Sequence, residues 1–229
     1  MTHFKNLNAI KWVALVLMAG DHVNKYLFNE TLPFLFEAGR AVMPMFCFVL
    51  AYNLARPDAL ANGTYQRVVN RLVIFGLMAS PAYILLGGVI DDWWPLNILF
   101  TLLTITLVIY FIDRGGRKNQ VFALLVFMLC GAVVEFWWPA VLMGVFLWLF
   151  FRYSNPFSIA GAVLACASLW YINDNFYALL SVPLVLILSR TPFSLPRFKW
   201  FFYAFYPLHL YALMVIRVPM AKAGYLFFT

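Results

Sequence analysis

Nine apolar stretches joined by short polar connections dominate the sequence, and they leave the chain few ways to fold. With 65% of its 229 residues hydrophobic and 11% charged, the chain has more apolar surface than a soluble core can cover. Lipid can contact such surface directly, and a helix there satisfies its own backbone polar groups. We therefore predict an all-α, polytopic integral membrane bundle formed by a single domain over residues 1–229. The stretches cover residues 9–28, 34–55, 68–88, 95–112, 121–137, 139–151, 157–173, 176–189 and 200–216.

The boundary between the fifth and sixth stretches is the weakest of the set. Only the segment Glu135-Phe136-Trp137-Trp138-Pro139 separates them, so one long kinked helix is an alternative. Several stretches are also shorter than the roughly 20 residues that a perpendicular span requires. The expected number of membrane spans is therefore about nine, or eight if these two stretches form one helix.

Loop charge orients the predicted bundle. The 16 Lys and Arg residues exceed the 9 Asp and Glu residues, but they are spread in small groups, which favours membrane orientation over nucleic-acid binding. One set of connections is basic and the alternate set is acidic. Because basic connections stay in the cytoplasm, this alternation predicts a cytoplasmic N-terminus and a C-terminus outside. Arg217 and Lys222, near the C-terminus, depart from the pattern. The basic set contains Lys5, Lys11, Arg56, Arg67, Arg71, Arg114, Arg117, Lys118, Arg152, Arg190, Arg197 and Lys199, and the acidic set contains Glu30, Asp91, Asp92, Glu135 and Asp174.

The three cysteines, Cys47, Cys130 and Cys166, all lie inside apolar stretches. Scattered buried thiols argue against a disulfide framework or a zinc site, which would need clustered ligands. The sequence also has no other metal-ligand spacing and no phosphate-binding glycine loop. We therefore predict a chain without a metal centre.

Three ionisable residues lie where a charge is costly, Asp21 and His22 in the first stretch and Arg40 in the second. A charged side chain inside a spanning helix costs a few kcal/mol, so each is a functional candidate. His22 lies about 13 residues into the first helix, or ~20 Å from the cytoplasmic edge. Arg40 enters from the opposite side and lies about 6 residues in, or ~9 Å deep. Both residues therefore reach a similar level in the outer half of a ~30 Å hydrocarbon core.

His22 is a candidate general base, because a neutral imidazole accepts a proton near physiological pH; a structural hydrogen bond between helices is the alternative. Asp21 projects about 100° away from it, so helix spacing favours Lys25, one turn onward, as the partner of Asp21. Arg40 has Glu37 one turn before it and Pro44 one turn after it, and Pro44 leaves the Arg40 carbonyl without a helical partner. This pattern predicts a broken helix beside a polar cavity, in which Arg40 either binds a substrate or pairs with Glu37.

The last stretch carries a second histidine at depth. His209 follows Tyr203 and Tyr206 at spacings of three, which places the three side chains on one face. Pro207 is expected to disrupt this helix by freeing the Tyr203 carbonyl. A polar stripe in a lipid-embedded helix should face protein, either as a substrate or cofactor site or as packing.

Asn97 and Thr101 form a weaker polar stripe on the fourth stretch. Their spacing of four places both side chains on one face of a helix. Ligand contact and interhelical hydrogen bonding both explain such a stripe, and interhelical bonding is the commoner of the two.

Four motifs, spread from the first apolar stretch to the last, contain these candidates. They run from Leu17 to His22, from Gly39 to Phe48, from Asn97 to Leu102 and from Phe202 to Leu210. Together they resemble the TraX family, the conjugal-transfer membrane proteins that include the F-pilin N-acetylase, and the basic stretch from Arg67 to Leu72 is also similar to that family. One departure is Leu103-Thr104-Ile105, where family members often have a glycine soon after the Asn-x-x-Phe-Thr motif.

The resemblance implies an acyltransferase of the bacterial inner membrane that transfers an acetyl group from acetyl-coenzyme A to the N-terminal amine of a pilin subunit. It also implies kinship with membrane acyltransferases that use an intramembrane histidine, and it maps the catalytic residues to Asp21, His22 and Arg40. Relatives outside conjugation systems have no settled substrate, so the resemblance alone does not fix the acceptor. Substrate and coenzyme binding is assigned to Glu37, Asn97, Thr101, Tyr206, His209, Arg67 and Arg71.

The resulting hypothesis is acyl transfer to an acceptor on the periplasmic side, with a pilin-like membrane protein, acetyl-coenzyme A and the lipid bilayer as partners and no nucleic acid. His22 deprotonates the acceptor amine or carries the acetyl group itself, and Arg40 or His209 stabilises the oxyanion. Alternatives are another extracytoplasmic acceptor such as a glycan, and a proton-coupled transporter, although no inverted repeat favours the transporter. Basic loops are expected to attract the coenzyme from the cytoplasm, namely those around Arg67, Arg71, Arg114, Arg117 and Lys118.

Overall fold

The structure, a computed structural model, is described for residues 6–192, 195–196, 198 and 200–225. Within these ranges the chain is helical, and β structure is limited to isolated bridges that pair Asp91 with Trp94 and Leu96 with Val134. The predicted all-α class is therefore confirmed. Three of the predicted loop charges, Lys5, Arg197 and Lys199, lie outside the described residues.

The helices follow the predicted apolar stretches closely. α6 and α7 are separate helices, so the fifth and sixth stretches do not form one kinked helix. The helices are α1 (Leu7–Leu27), α2 (Pro33–Gly39), α3 (Val42–Leu54), α4 (Thr64–Leu85), α5 (Ile98–Arg114), α6 (Arg117–Gly131), α7 (Trp137–Tyr153), α8 (Pro156–Ala167), α9 (Trp170–Asn173), a 3₁₀ helix (Tyr177–Leu180), α10 (Ser181–Arg190) and α11 (Phe201–Lys222).

Several of these segments are compatible with a multi-pass membrane protein. By length and hydropathy, four helical segments of the described chain qualify as membrane-crossing, namely Pro33–Leu54, Thr64–Leu85, Pro156–Asn173 and Phe201–Lys222. The first of these combines α2 and α3 across their break. The count of nine spans stays a prediction.

Two prolines that the sequence analysis treated alike have different effects. Pro44 lies in the first turn of α3, and the helix breaks just before it, at Arg40 and Ala41, as predicted. Pro207 lies inside α11, which continues through it, so the predicted disruption is wrong. Tyr206 and Pro207 are buried where α11 packs on α1 and α4, and these contacts offset the missing hydrogen bond.

The connections α4–α5 and α6–α7 are joined to each other at one end of the bundle. The Leu96 N–H donates to the Val133 carbonyl at 2.8 Å, and the Glu135 N–H donates to the Leu96 carbonyl at 2.8 Å. The rings of Trp94 and Trp137 stack with centroids 5.7 Å apart. This arrangement holds Glu135 in a defined position beside the start of α5.

The interior is organised around two groups of helices. α3 packs against α1, α5 and α7, whereas α11 packs against α1 and α4. α1 therefore contacts both groups and carries Asp21 and His22 between them. The break between α2 and α3 brings Arg40 to the same place from the opposite direction.

Candidate functional site

Asp21 and Arg40 form a bidentate ion pair. The Arg40 Nη2 donates to both oxygens of the Asp21 carboxylate, at 2.8 and 2.9 Å. Gly39 permits this approach, because a Cβ at that position would lie 2.6 Å from both Cβ and Cγ of Asp21. The contact confirms that the first and second apolar stretches bring these residues to a common depth.

The Lys25 partner predicted for Asp21 is wrong, and the Glu37 pair that was one of two alternatives for Arg40 does not form. Lys25 does not hold Asp21; its ammonium group lies over the Tyr26 ring, 5.6 Å from the centroid. Glu37 lies beside the Tyr177 hydroxyl instead of holding Arg40. The prediction considered neighbours on a single helix, whereas the helix break turns the guanidinium across to α1.

The remaining contacts of Arg40 are also to protein. Its Nε donates to the Phe36 carbonyl at 3.2 Å, and its Nη1 donates to the Asn173 side-chain oxygen at 3.4 Å. The guanidinium lies 4.2 Å from the centroid of the Phe36 ring. With these groups around it, Arg40 is suited to positioning Asp21 and the helix break more than to binding an oxyanion.

His22 and His209 form a second pair. The His22 Nδ1 and the His209 Nε2 are 2.6 Å apart, and the two rings are nearly parallel, with an interplanar angle of 9°. The His209 Nδ1 is 2.9 Å from the Phe205 carbonyl oxygen. Both histidines are half-buried, on α1 and α11.

The Phe205 carbonyl sets the tautomers of this pair. A carbonyl oxygen only accepts, so the His209 Nδ1 must carry a proton and donate it. In the neutral ring the His209 Nε2 is then an acceptor, and the His22 Nδ1 donates to it. The Nε2 of neutral His22 is therefore unprotonated and has a free lone pair, as a general base or nucleophile requires.

A cavity of about 470 Å³ leads toward this pair. Lys11, near the start of α1, and Met18, two turns farther along, both line it, so the cavity runs along α1 in the direction of His22. Tyr206 also lines it, and its ring centroid lies 6.1 Å from that of His22. Ile98, Leu99 and Leu102 of α5 contribute an apolar wall.

The other end of the cavity is basic. Arg67 and Arg71, which the resemblance assigns to coenzyme binding, line it, and that role stays a prediction. The Arg71 guanidinium lies 4.5 Å from the centroid of the Trp200 ring. Lys11 and Arg56 also line this cavity, although the sequence analysis treated them only as loop charges. Their place was not visible in the sequence because it depends on how the ends of α1, α3 and α4 pack.

The third basic connection lies away from the cavity wall. Arg114, Arg117 and Lys118 lie where α5 meets α6 and are not part of the cavity wall, and their attraction of the coenzyme stays a prediction. Arg114 donates to the Tyr110 hydroxyl at 3.0 Å, and the Lys118 ammonium lies 5.9 Å from the Phe122 ring centroid. Charge alone did not distinguish the connections that surround the cavity from this one.

Asn97 and Thr101 make interhelical hydrogen bonds. The Asn97 amide donates to the Gly76 carbonyl at 3.1 Å and to the Ser80 hydroxyl at 3.2 Å, and Thr101 donates to the Glu135 carbonyl. Both side chains are buried. These bonds match the packing alternative, and a substrate-binding role for either residue stays a prediction.

Glu135, predicted only as a loop charge, lies at the start of α5 close to Tyr206. Its half-buried carboxylate and the Tyr206 hydroxyl both lie at the backbone N–H of Ile98, the first residue of α5. The sequence feature that could have pointed to Glu135 is its place as a single acid inside the weakest boundary between two apolar stretches. Within the described part of the chain, no three His, Cys, Asp or Glu side chains are grouped closely enough to hold a metal ion.

Comparison with known proteins agrees with the motifs. The family model described as TraX protein matches residues 6–217. Protein TraX of Escherichia coli is 36% identical over 118 residues, which cover 51% of this chain and 44% of that protein. Protein TraX of Escherichia coli strain K12 is 36% identical over 91 residues, 40% of this chain and 34% of that protein.

The match to these relatives spans less than half of the length of each one. No solved structure matches the chain. The family match, in contrast, runs from the start of α1 to within α11 and includes Asp21, His22, Arg40 and His209. The chain belongs to the TraX family.

Proposed function

We propose that this protein is a membrane-embedded acetyltransferase that moves an acetyl group from acetyl-coenzyme A to the N-terminal amine of a pilin subunit. The observation that carries the proposal is the free Nε2 of His22, one helical turn beyond Met18, which lines a cavity whose other end is basic. In this proposal the basic end faces the cytoplasm and the acceptor approaches from the periplasm.

The cavity has the properties that the donor requires. Its basic end contains Lys11, Arg56, Arg67 and Arg71, which suit the phosphates of the coenzyme. From Lys11 to His22 the distance along α1 is ~16 Å, so the thioester has to arrive on an extended arm. The apolar wall between these points suits such an arm.

His22 performs the proton transfer in this proposal. Its Nε2 takes a proton from the acceptor amine as the nitrogen attacks the thioester carbonyl carbon, and the proton then passes to the departing thiolate. The carbon–sulfur bond breaks and the amide bond forms. If His22 instead carries the acetyl group, the same Nε2 attacks first and the amine attacks the acetyl-histidine.

Tyr206 replaces Arg40 and His209 as the oxyanion donor. The His209 Nε2 is an acceptor in the tautomer derived above, and Arg40 is engaged by Asp21. The Tyr206 hydroxyl lies at the N–H of Ile98, which frees its own proton to donate into the cavity.

The test uses the purified chain in liposomes with radiolabelled acetyl-coenzyme A and a candidate pilin subunit. His22→Ala is expected to lower labelling of the pilin at least ~100-fold, because the base is removed. The matched control is Val16→Ala, on the same helix but 64% exposed on its surface. Label on the protein in the absence of pilin would identify the acetyl-histidine route.

Two outcomes would contradict the proposal. Full activity of His22→Ala would exclude the base and carrier roles of this residue. Absence of acetyl transfer, together with substrate-dependent proton movement across the liposomes, would favour a transporter that uses the same ionisable residues.

A further inference from the structure

Several helix ends meet beside the basic end of the cavity and are joined through one buried tyrosine. The hydroxyl of Tyr65, in the first turn of α4, donates to the Asp113 carboxylate at 3.1 Å and lies 3.3 Å from the Leu54 carbonyl oxygen. Asp113 lies near the end of α5, and Leu54 is the last residue of α3. Tyr65 is 3% exposed, so this contact also satisfies a carbonyl that the end of α3 leaves without a helical partner.

Arg152, near the end of α7, completes this cluster. Its Nη2 lies 3.4 Å from Oδ1 of Asp113, whereas Tyr65 contacts Oδ2. The Asp113 side chain is 6% exposed and has a partner at each carboxylate oxygen. A buried carboxylate that is paired and hydrogen-bonded in this way holds its neighbours in one arrangement. We call Tyr65, Asp113 and Arg152 the clamp.

The connection between α3 and α4 begins and ends at the clamp. Leu54 precedes the connection, and Tyr65 follows it by one residue of α4. Within it, the Arg67 Nη1 donates to the Asn62 carbonyl at 2.6 Å, and the Arg67 Nη2 donates to the Thr64 hydroxyl at 3.1 Å. The connection is therefore a compact turn with a set shape, and Arg67 is used to close it.

Arg56 is carried by this connection and lines the cavity. Within the described part of the chain, its guanidinium has no hydrogen bond, ion pair or ring contact. The other basic residues of the cavity do have partners. Arg67 is bonded within the connection, and the charged groups of Arg71 and Lys11 each lie over an aromatic ring, 4.5 and 5.4 Å from its centroid. Arg56 is thus the cation of this cavity that is left for a ligand.

We propose that Arg56 binds the phosphates of the coenzyme and that the clamp positions it. A guanidinium can donate two parallel hydrogen bonds to a phosphate, and this geometry requires a defined approach. A long, flexible side chain does not supply that direction, but a backbone held at both ends of a short connection limits where the side chain reaches. The inference rests on the proposed function and deepens it, because it names the contact that holds the donor.

The first measurement is the binding of coenzyme A to the purified chain in phosphatidylcholine liposomes. Arg56→Gln is expected to weaken binding about 10- to 100-fold, because charge-assisted hydrogen bonds to a phosphate are lost. Arg190→Gln is the matched control. Arg190 is an exposed cation at the end of α10 that does not line the cavity, so this variant should bind coenzyme A as the unchanged protein does.

A double-mutant cycle tests the positioning role. Tyr65→Phe keeps the ring and removes the hydroxyl, and it is expected to weaken coenzyme A binding several-fold. In a chain that already carries Arg56→Gln, it should cause no further loss, because the hydroxyl acts through Arg56. An equal loss on both backgrounds would overturn the positioning role. Thermal unfolding in detergent verifies that each variant is folded.

The headgroup of an anionic lipid is another source of the same phosphate chemistry. The liposome measurement is therefore repeated with phosphatidylglycerol as the probe. If Arg56→Gln lowers the binding of phosphatidylglycerol and leaves that of coenzyme A unchanged, Arg56 holds a lipid and the inference is overturned.

The outcomes separate this inference from the proposed function. Acetyl transfer with a KM for acetyl-coenzyme A that Arg56→Gln does not change would overturn the inference and leave the proposed function intact. Binding of coenzyme A that depends on Arg56, in a chain that transfers no acetyl group, would support the inference and overturn the enzymatic proposal.

Discussion

His209 governs the chemistry of His22 even though it need not touch the substrate. The Phe205 carbonyl requires a proton on the His209 Nδ1, and this requirement passes along the hydrogen bond to His22. The backbone of α11 thus determines which nitrogen of a residue on α1 is free. In the proposed reaction His209 is therefore a positioning residue.

This arrangement predicts the protonation of each ring. In protein labelled with ¹⁵N-histidine, both His22 and His209 should carry their proton on Nδ1 when neutral. His209→Ala should leave His22 in a mixture of tautomers and lower kcat about 100-fold with little change in the KM for acetyl-coenzyme A. Protonation of the His22 Nε2 in the unchanged protein would contradict the derived tautomers.

At the residue scale, the depth of a side chain along its helix could be predicted from the sequence, but its hydrogen-bonding and ion-pair partners could not. Counting from the ends of the apolar stretches placed His22 and Arg40 at one level, because the rise of a helix is constant. The same reasoning assigned Lys25 to Asp21, since it considered one helix at a time. Glu135 escaped notice because its position depends on hydrogen bonds between two loops.

The break between α2 and α3 is the element on which the site depends most. Pro44 removes a hydrogen-bond donor, and Gly39 removes the side chain that would keep the second segment away from α1. Pro44 could be read from the sequence as the sign of a break, whereas the role of Gly39 required the packing of the two segments. Pro207 shows the limit of such reading, because the packing of α11 preserves its helix.

Gly39→Ala tests this element. The added Cβ would meet Asp21 at 2.6 Å, so we expect the ion pair to open and the free energy of unfolding to fall by ~1–3 kcal/mol. The measurement is thermal unfolding in detergent together with acetyl transfer, which should fall as well. The matched control is Gly20→Ala, whose new Cβ would meet only the end of the Leu35 side chain, at 3.2 Å.

The control variant should keep its stability, because a side-chain end can move aside and alanine favours a helix. If Gly39→Ala were as stable and as active as the control, the close approach of the two segments would not be required. The ion pair would then have to form by another route.

For the whole molecule, the alternation of loop charge predicts a fixed orientation. A periplasmic reporter fused after Asp92 should be active, and one fused after Lys118 should be inactive, because basic connections stay in the cytoplasm. Basic residues gather near the starts of α1 and α4 and the end of α3, which agrees with this orientation. The reverse pattern of reporter activity would overturn it and would place the basic end of the cavity outside.

The general architecture was accessible from the sequence, whereas the cavity was not. Long apolar stretches specify helices and their approximate limits, since lipid leaves the backbone few other solutions. A cavity depends on which helices become neighbours. Loop charge alone therefore could not distinguish Lys11 and Arg56, which line the cavity, from Arg114, which does not. The basic residues that line the cavity could therefore be identified only once the packing of the helices was known.

The basic end of the cavity lies toward the start of α1 and the histidine pair lies farther along the same helix, which has a consequence for what crosses the bilayer in the proposed reaction. A coenzyme that carries several phosphates cannot enter hydrocarbon, and a pilin displayed outside cannot return through it. In the proposed reaction each substrate stays on its own side, and only the acetyl group passes from one compartment to the other. By this route the free energy of a cytoplasmic thioester would drive a covalent modification in the other compartment.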